Sequence, residues 1–121
     1  NIGVKENIIL TKSFDFSLKI IGLYKLLREK NEFLLSKQLF RSGTSIGANI
    51  EEAIAAQSRK DFISKLSIAA KESRETLYWL RLLEESELIE NIDVKEHVAL
   101  CAELKRILTS IILSTQKGNE E

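Results

Sequence analysis

The sequence predicts an all-α protein, an up-down-up-down four-helix bundle, and three observations carry that expectation. The 121 residues include no proline and are 30% charged, a composition suited to long helices and short loops. Apolar residues recur at intervals of three and four, whereas strict alternation never persists beyond a few positions. The segments between the periodic stretches are too short to join parallel helices, so neighbours run antiparallel. The length fits one domain, residues 1–121, large enough to close a single core.

Each helix has its own punctuation. The first is expected over about 11–30, with Ser13 as a candidate cap. The second runs over about 34–57. The third opens at Ser58-Arg59-Lys60-Asp61, which has the Ser-x-x-acid form of a capping box, and runs to about residue 87. Asn91-Ile92-Asp93 starts the fourth, over about 92–117, with Gly118 as the expected stop.

Composition excludes several classes. One Cys rules out a disulfide framework or a multi-Cys zinc site within one chain. Eighteen Lys+Arg balance eighteen Asp+Glu, which argues against a broadly basic nucleic-acid or anionic-membrane binder. The longest apolar runs, such as Ile111–Leu113, fall far short of a membrane span. NIGVKENIIL has no signal-peptide pattern, so a cytoplasmic protein is expected.

The helix faces suggest assembly. At about 100° per residue, the first helix shows two apolar stripes. Phe14, Leu18 and Ile21 share one side, and Phe16, Ile20, Leu23 and Leu27 lie roughly opposite. In the third helix, Phe62, Leu66, Ala69, Ser73, Leu77 and Leu80 form a core stripe, with Ile68, Trp79 and Leu82 on a second flank. A small monomeric bundle needs only one stripe per helix. A homo-oligomer is therefore expected, with Phe16, Ile20, Leu23, Leu27, Ile68, Trp79 and Leu82 at its interface.

The second helix packs Leu35, Leu39, Ile46, Ile50, Ala53 and Ile54 on one face. Gly43 and Gly47 inside it cost about 1 kcal/mol each relative to Ala, so close packing must offset them. Small Ala69, Ala70 and Ser73 on the third helix suggest where that close approach occurs. Beside the apolar face runs a polar stripe of Gln38, Arg41, Ser45, Asn49 and Glu52, within about an 80° arc. It reads either as a half-buried hydrogen-bond network, with Arg41 reaching Glu72 or Glu75, or as a ligand or RNA site.

Catalytic chemistry has little support. His97 and Cys101 stand one turn apart on the broad apolar face of Val94, Val98, Leu104, Leu108 and Ile112, where packed residues are expected. Two ligands are too few for zinc, and the Glu-x-x-His pair of a di-iron bundle is absent because Val94 precedes His97 by three. Gly43 and Gly47 sit inside a helical pattern, so no phosphate-cradling loop is formed. Glu84, Glu85, Glu87 and Glu90 read as a solvated, frayed helix end. No enzyme activity, metal or cofactor is expected.

Charge is nevertheless uneven. Residues 1–30 hold six Lys/Arg against three acids, a local excess of +3. Lys12, Lys19, Lys25 and Arg28 from this segment, with Arg59 and Lys60 at the start of the third helix, are candidate phosphate contacts. Aromatics suited to base stacking are few, and Tyr78 and Trp79 flank acidic positions.

Three strings now converge: KSFDFSLKIIGLYKLL, SKQLFRSGTSIGANIEEA and SRKDFISKLSIAAKESRETLYWLRLL. They resemble the bacterial 23S rRNA intervening-sequence proteins, over about residues 11–115. The resemblance implies a left-handed four-helix bundle assembled into a ring, a homopentamer. Some members are encoded within intervening sequences of large-subunit rRNA genes. A related, markedly basic type serves diversity-generating retroelements by binding reverse transcriptase and nucleic acid. The family motif maps onto Arg41, Ser45, Ile46, Asn49, Ile50 and Glu52, and onto Ala69, Glu72, Glu75 and Trp79, as determinants of the bundle and its assembly.

The expected function is a non-catalytic homo-oligomeric scaffold for rRNA or a ribonucleoprotein. The alternative is a protein–protein adaptor, for a reverse transcriptase or another enzyme, without direct RNA binding. A third class, a small-molecule or metal site on His97 and Cys101, ranks below both. The expected partners are further copies of the chain and RNA, with no membrane and no small-molecule substrate.

Overall fold

A computed structural model describes residues 3–120, with side chains as far as Gly118, so residues 1, 2 and 121 of the expected domain lie outside it. Four helices follow in order: α1 (Val4–Glu29), α2 (Leu34–Ile54), α3 (Arg59–Glu85) and α4 (Lys95–Glu120). The described residues include no strand. Each helix packs on its neighbours in sequence and α1 closes on α4, while the α1–α3 and α2–α4 pairs stay diagonal. This is an antiparallel square array, the expected four-helix bundle.

The core has a seven-residue repeat. Ile9, Ser13, Phe16, Ile20, Leu23 and Leu27 are buried on α1, at alternating intervals of four and three. Ser36, Leu39, Gly43, Ile46, Ile50 and Ala53 on α2 follow the same rule, as do Leu66, Ala69, Ser73, Thr76, Leu80 and Leu83 on α3. Val94, just before α4, and Cys101, Leu104, Leu108 and Ile111 within it continue the repeat, with His97 on the remaining rung. A repeat of 3.5 residues per turn, sustained this long, gives bundles their left-handed winding.

The helix limits moved where a core rung decided them. α1 begins at Val4 rather than near 11, because Ile9 supplies one more buried rung. Ser13 is therefore no cap. It is buried mid-helix and its hydroxyl donates to the Leu10 carbonyl at 3.2 Å. Ser58 does cap α3, accepting from the Asp61 backbone N–H at 3.0 Å. Asp93 accepts from the Lys95 N–H at 3.1 Å as α4 starts, and α4 continues through Gly118 rather than stopping there. A helix with its stop residue exposed and uncapped extends as long as nothing competes for its backbone.

The glycines bring α2 against α1, not against α3 as the small residues of α3 suggested. A Cβ on Gly43 would lie 2.8 Å from Ile20 Cγ1, and one on Gly47 would lie 3.4 Å from the Ser13 carbonyl oxygen. The α2–α3 seam instead uses hydroxyls. Thr76 Oγ1 lies 2.8 Å from Ser42 Oγ across the seam and 2.8 Å from the Glu72 carbonyl within α3, while Ser42 Oγ donates to the Gln38 carbonyl at 2.9 Å, so both buried hydroxyls have partners.

Candidate functional site

The α2 polar stripe faces α3 and forms a network. Arg41 Nη1 donates to Glu72 Oε2 at 3.3 Å, and Nη2 donates to Glu75 Oε1 and, at 3.4 Å, to Gln38 Oε1. Trp79 Nε1 donates to the same Glu75 oxygen at 3.3 Å. Glu72 is buried, so its charge needs this guanidinium. Asn49, a poor helix former, is explained locally: its Nδ2 donates to the Ser45 carbonyl at 2.9 Å and lies 3.2 Å from Ser45 Oγ. Glu52 is exposed at the end of the stripe. Arg41, Gln38, Glu75 and Trp79 are thus brought together, while Ser45 and Asn49 satisfy each other.

The expected interface on α1 is corrected. Phe16, Ile20 and Leu27 are 0% exposed and Leu23 is 4% exposed, because these residues are the core stripe of the single chain. They are unavailable to another copy. The outward stripe is the other one, with Phe14 at 61%, Leu18 at 55% and Ile21 at 36% exposed. The two stripes look alike on a helical wheel, and the closeness of Gly43 to Ile20 selects the inner one. On α3, Ile68 and Leu82 are exposed and Trp79 half-buried, so that flank does reach the surface.

The candidate phosphate contacts divide. Lys12 pairs with Glu103 at 3.3 Å and Lys19 with Glu96 at 3.1 Å, while Lys5 donates to Ser110 at 2.9 Å. Steps of seven on α1 meet steps of seven on antiparallel α4, forming a polar ladder along their seam. Lys12 and Lys19 are therefore ion-paired within the chain, and the basic excess of residues 1–30 is partly neutralised by α4. Lys60 is exposed at the start of α3, and Arg59 beside it is engaged within the chain.

Lys25 and Arg28 lie elsewhere, at the corner where α1 turns into α2. Arg28 Cζ sits 5.4 Å from the Tyr24 ring centre and 5.0 Å from that of Phe33. Tyr24 and Phe40 meet at 4.8 Å across the two helices. Lys30 counts in the basic segment but not among the candidate contacts, and Tyr24, Phe33, Lys37 and Phe40 are not singled out from the sequence. The signal available was the clustering of three rings and four cations around one turn.

His97 and Cys101 are separated by their hydrogen bonds. His97 Nε2 lies 3.3 Å from the Lys19 carbonyl on α1, and its Nδ1 is buried without a partner. The carbonyl selects the tautomer with the proton on Nε2. Burial lowers the imidazole pKa, the Lys19 carbonyl partly opposing it. Cys101 is fully buried and donates to the Ser73 carbonyl on α3 at 3.3 Å. Burial pushes its thiol up to about 12. A thiol that stays protonated at neutral pH is a weak nucleophile. Among the described residues, no three His, Cys, Asp or Glu side chains gather as a metal site, and no helix is long and apolar enough to cross a membrane.

Comparison with known proteins adds two findings. The family profile described as 23S rRNA-intervening sequence protein matches residues 5–110. The chain is also similar to a crystal structure of a protein of unknown function from the S23 ribosomal protein family of Bacteroides thetaiotaomicron. Identity is 50%, the TM-score is 0.84, and the match covers 90% of this chain and 98% of that one. No curated protein matches the chain.

Proposed function

We propose that this chain, which belongs to the 23S rRNA-intervening sequence protein family, is a non-catalytic homo-oligomeric bundle serving as a cytoplasmic binding scaffold for RNA or a ribonucleoprotein. The observation that carries the assembly is the pair of exposed apolar flanks. Phe14, Leu18 and Ile21 face outward on α1, and Ile68 and Leu82 face outward on α3, the helix diagonal to it. Two different flanks on opposite sides of one bundle suit front-to-back contacts, which close into rings, and the family resemblance suggests five copies. Covering about 500 Å² of such surface at about 25 cal/mol/Å² contributes about 12 kcal/mol before the cost of association.

Light scattering tests the assembly. The wild-type mass is expected at a multiple of 13.8 kDa. Leu18→Glu, on an exposed position, is expected to shift it to the monomer with helicity unchanged. A wild-type mass of one chain at every concentration refutes the assembly. A gel shift with structured rRNA at low salt tests the RNA role, and no complex refutes it.

The neutral balance of eighteen cations and eighteen acids favours a second reading, a protein adaptor without direct RNA binding. A complex with an enzyme partner that survives nuclease digestion distinguishes it.

A further inference from the structure

We infer that the corner between α1 and α2 is a stacking site for single-stranded RNA, built from Arg28, Phe33 and Phe40 with Lys25, Lys30 and Lys37 around them. This rests on the RNA part of the function proposed above and assigns it a place.

Lys12, Lys19, Arg41 and Arg81 each have a carboxylate partner within the chain. Among the described residues, Lys25, Arg28, Lys30 and Lys37 form no ion pair. All four fall within thirteen positions around one turn. Asn31, at φ 63°, takes the left-handed conformation that lets the chain reverse there. The reversal sets the last turns of α1 beside the first turns of α2.

Of the two acids in this stretch, Glu29 and Glu32, the second is turned away from the cations. Glu32 folds over the start of α2 and accepts from the Leu34, Leu35 and Ser36 N–H groups at 3.0, 3.1 and 2.7 Å. It is 8% exposed, so its charge answers the helix N-terminus rather than the surface. Glu29 is the exposed acid left at the corner. Residues 25–37 therefore carry four cations against two acids, a local excess of +2, although the whole chain carries none.

The rings supply the second element. Phe33 is 45% and Phe40 39% exposed, while Tyr24 is half-buried between the helices. Arg28 bridges Tyr24 and Phe33 by cation–π contact. Partly exposed rings beside cations outside any ion pair are what a base and its phosphate require together: stacking on one, charge on the other. A duplex hides its bases, so the partner of this chemistry is single-stranded. An acidic protein segment would use the cations but would leave the rings without a stacking partner.

The test is fluorescence anisotropy with a labelled single-stranded RNA of about 12 nucleotides and a matched hairpin duplex, titrated against the full chain at several salt concentrations. Phe33→Ala is expected to weaken the single strand about tenfold or more and the duplex little. The triple variant Lys25→Gln, Lys30→Gln, Lys37→Gln is expected to reduce the slope of log affinity against log salt by about 2. All four side chains are exposed, so fold is expected to be retained, and circular dichroism and light scattering check fold and mass. If wild-type protein binds and both variants bind equally well, this site is refuted while RNA binding stands. If wild-type protein binds neither RNA at low salt, the RNA reading itself falls. A change of mass in the variants with RNA affinity unaltered makes the corner a contact between copies and also overturns the inference.

Discussion

Replacing Gly43 by Ala tests how closely α1 and α2 approach, and Gly22 provides the matched control. Both lie inside helices, so each Ala gains about 1 kcal/mol of helix propensity. A Cβ on Gly22 would meet nothing within 4 Å. Gly22→Ala is therefore expected to stabilise by about 0.5–1 kcal/mol. A Cβ on Gly43 would lie 2.8, 3.0 and 3.1 Å from three carbons of Ile20, which is 0% exposed and has nowhere to move. Overpacking of that kind costs about 1–3 kcal/mol. Offset by the propensity gain, Gly43→Ala should destabilise by about 1 kcal/mol. The two variants should separate by about 2 kcal/mol, or about 8 °C in Tm for a domain of this size. Thermal or urea denaturation at fixed protein concentration reads the difference.

The double variant isolates the cause. Ile20→Ala alone opens a cavity and costs about 2–5 kcal/mol. In that background the methyl added by Gly43→Ala enters the vacated space. The substitution should then turn stabilising, with a coupling of about 2 kcal/mol. If Gly43→Ala stabilises the wild type as much as Gly22→Ala does, the contact with Ile20 does not set the spacing of α1 and α2.

Two other predictions concern the polar groups. Arg41→Ala removes the cation beside buried Glu72 and should cost about 1–2 kcal/mol, a value reduced by the half-exposure of Arg41 itself. Glu75→Gln, at the more open end of the network, should cost less, and urea denaturation ranks the two. His97 has a folded pKa below its ordinary 6.5, so the unfolded chain binds the proton more readily. Its contribution is present above pH 6.5 and is lost as pH falls from there through the lowered folded value. His97→Gln should flatten that part of the stability–pH curve, and an unchanged curve refutes the assignment.

Several features were legible because they are local. Ser58 followed by Asp61 marked the start of α3, and its hydroxyl does cap that helix. The spacing of Arg41 on α2 against Glu72 and Glu75 on α3 suggested a network, and the guanidinium reaches both. Orientation was harder. The stripe Phe14–Leu18–Ile21 and the stripe Phe16–Ile20–Leu23–Leu27 have the same helical spacing, and a wheel cannot say which faces inward. The length of the repeat could have: one stripe continues back through Ser13 to Ile9, six rungs in all, while the other spans three.

The sequence by itself determined four antiparallel helices, since periodicity, capping and the absence of proline are properties of single segments. It also determined that α1 carries more apolar surface than one core stripe uses. Tertiary structure alone decided which stripe is covered, because that depends on where Gly43 of α2 admits Ile20. It decided, too, which cations are engaged. Lys12 and Lys19 meet carboxylates 91 and 77 residues away on α4, while Arg28 meets the rings of Tyr24 and Phe33. A charge balance summed along the chain gives only the total. Pairing is a matter of distance in space, and it leaves Arg28 among rings, and Lys25, Lys30 and Lys37 outside any ion pair, where α1 turns into α2.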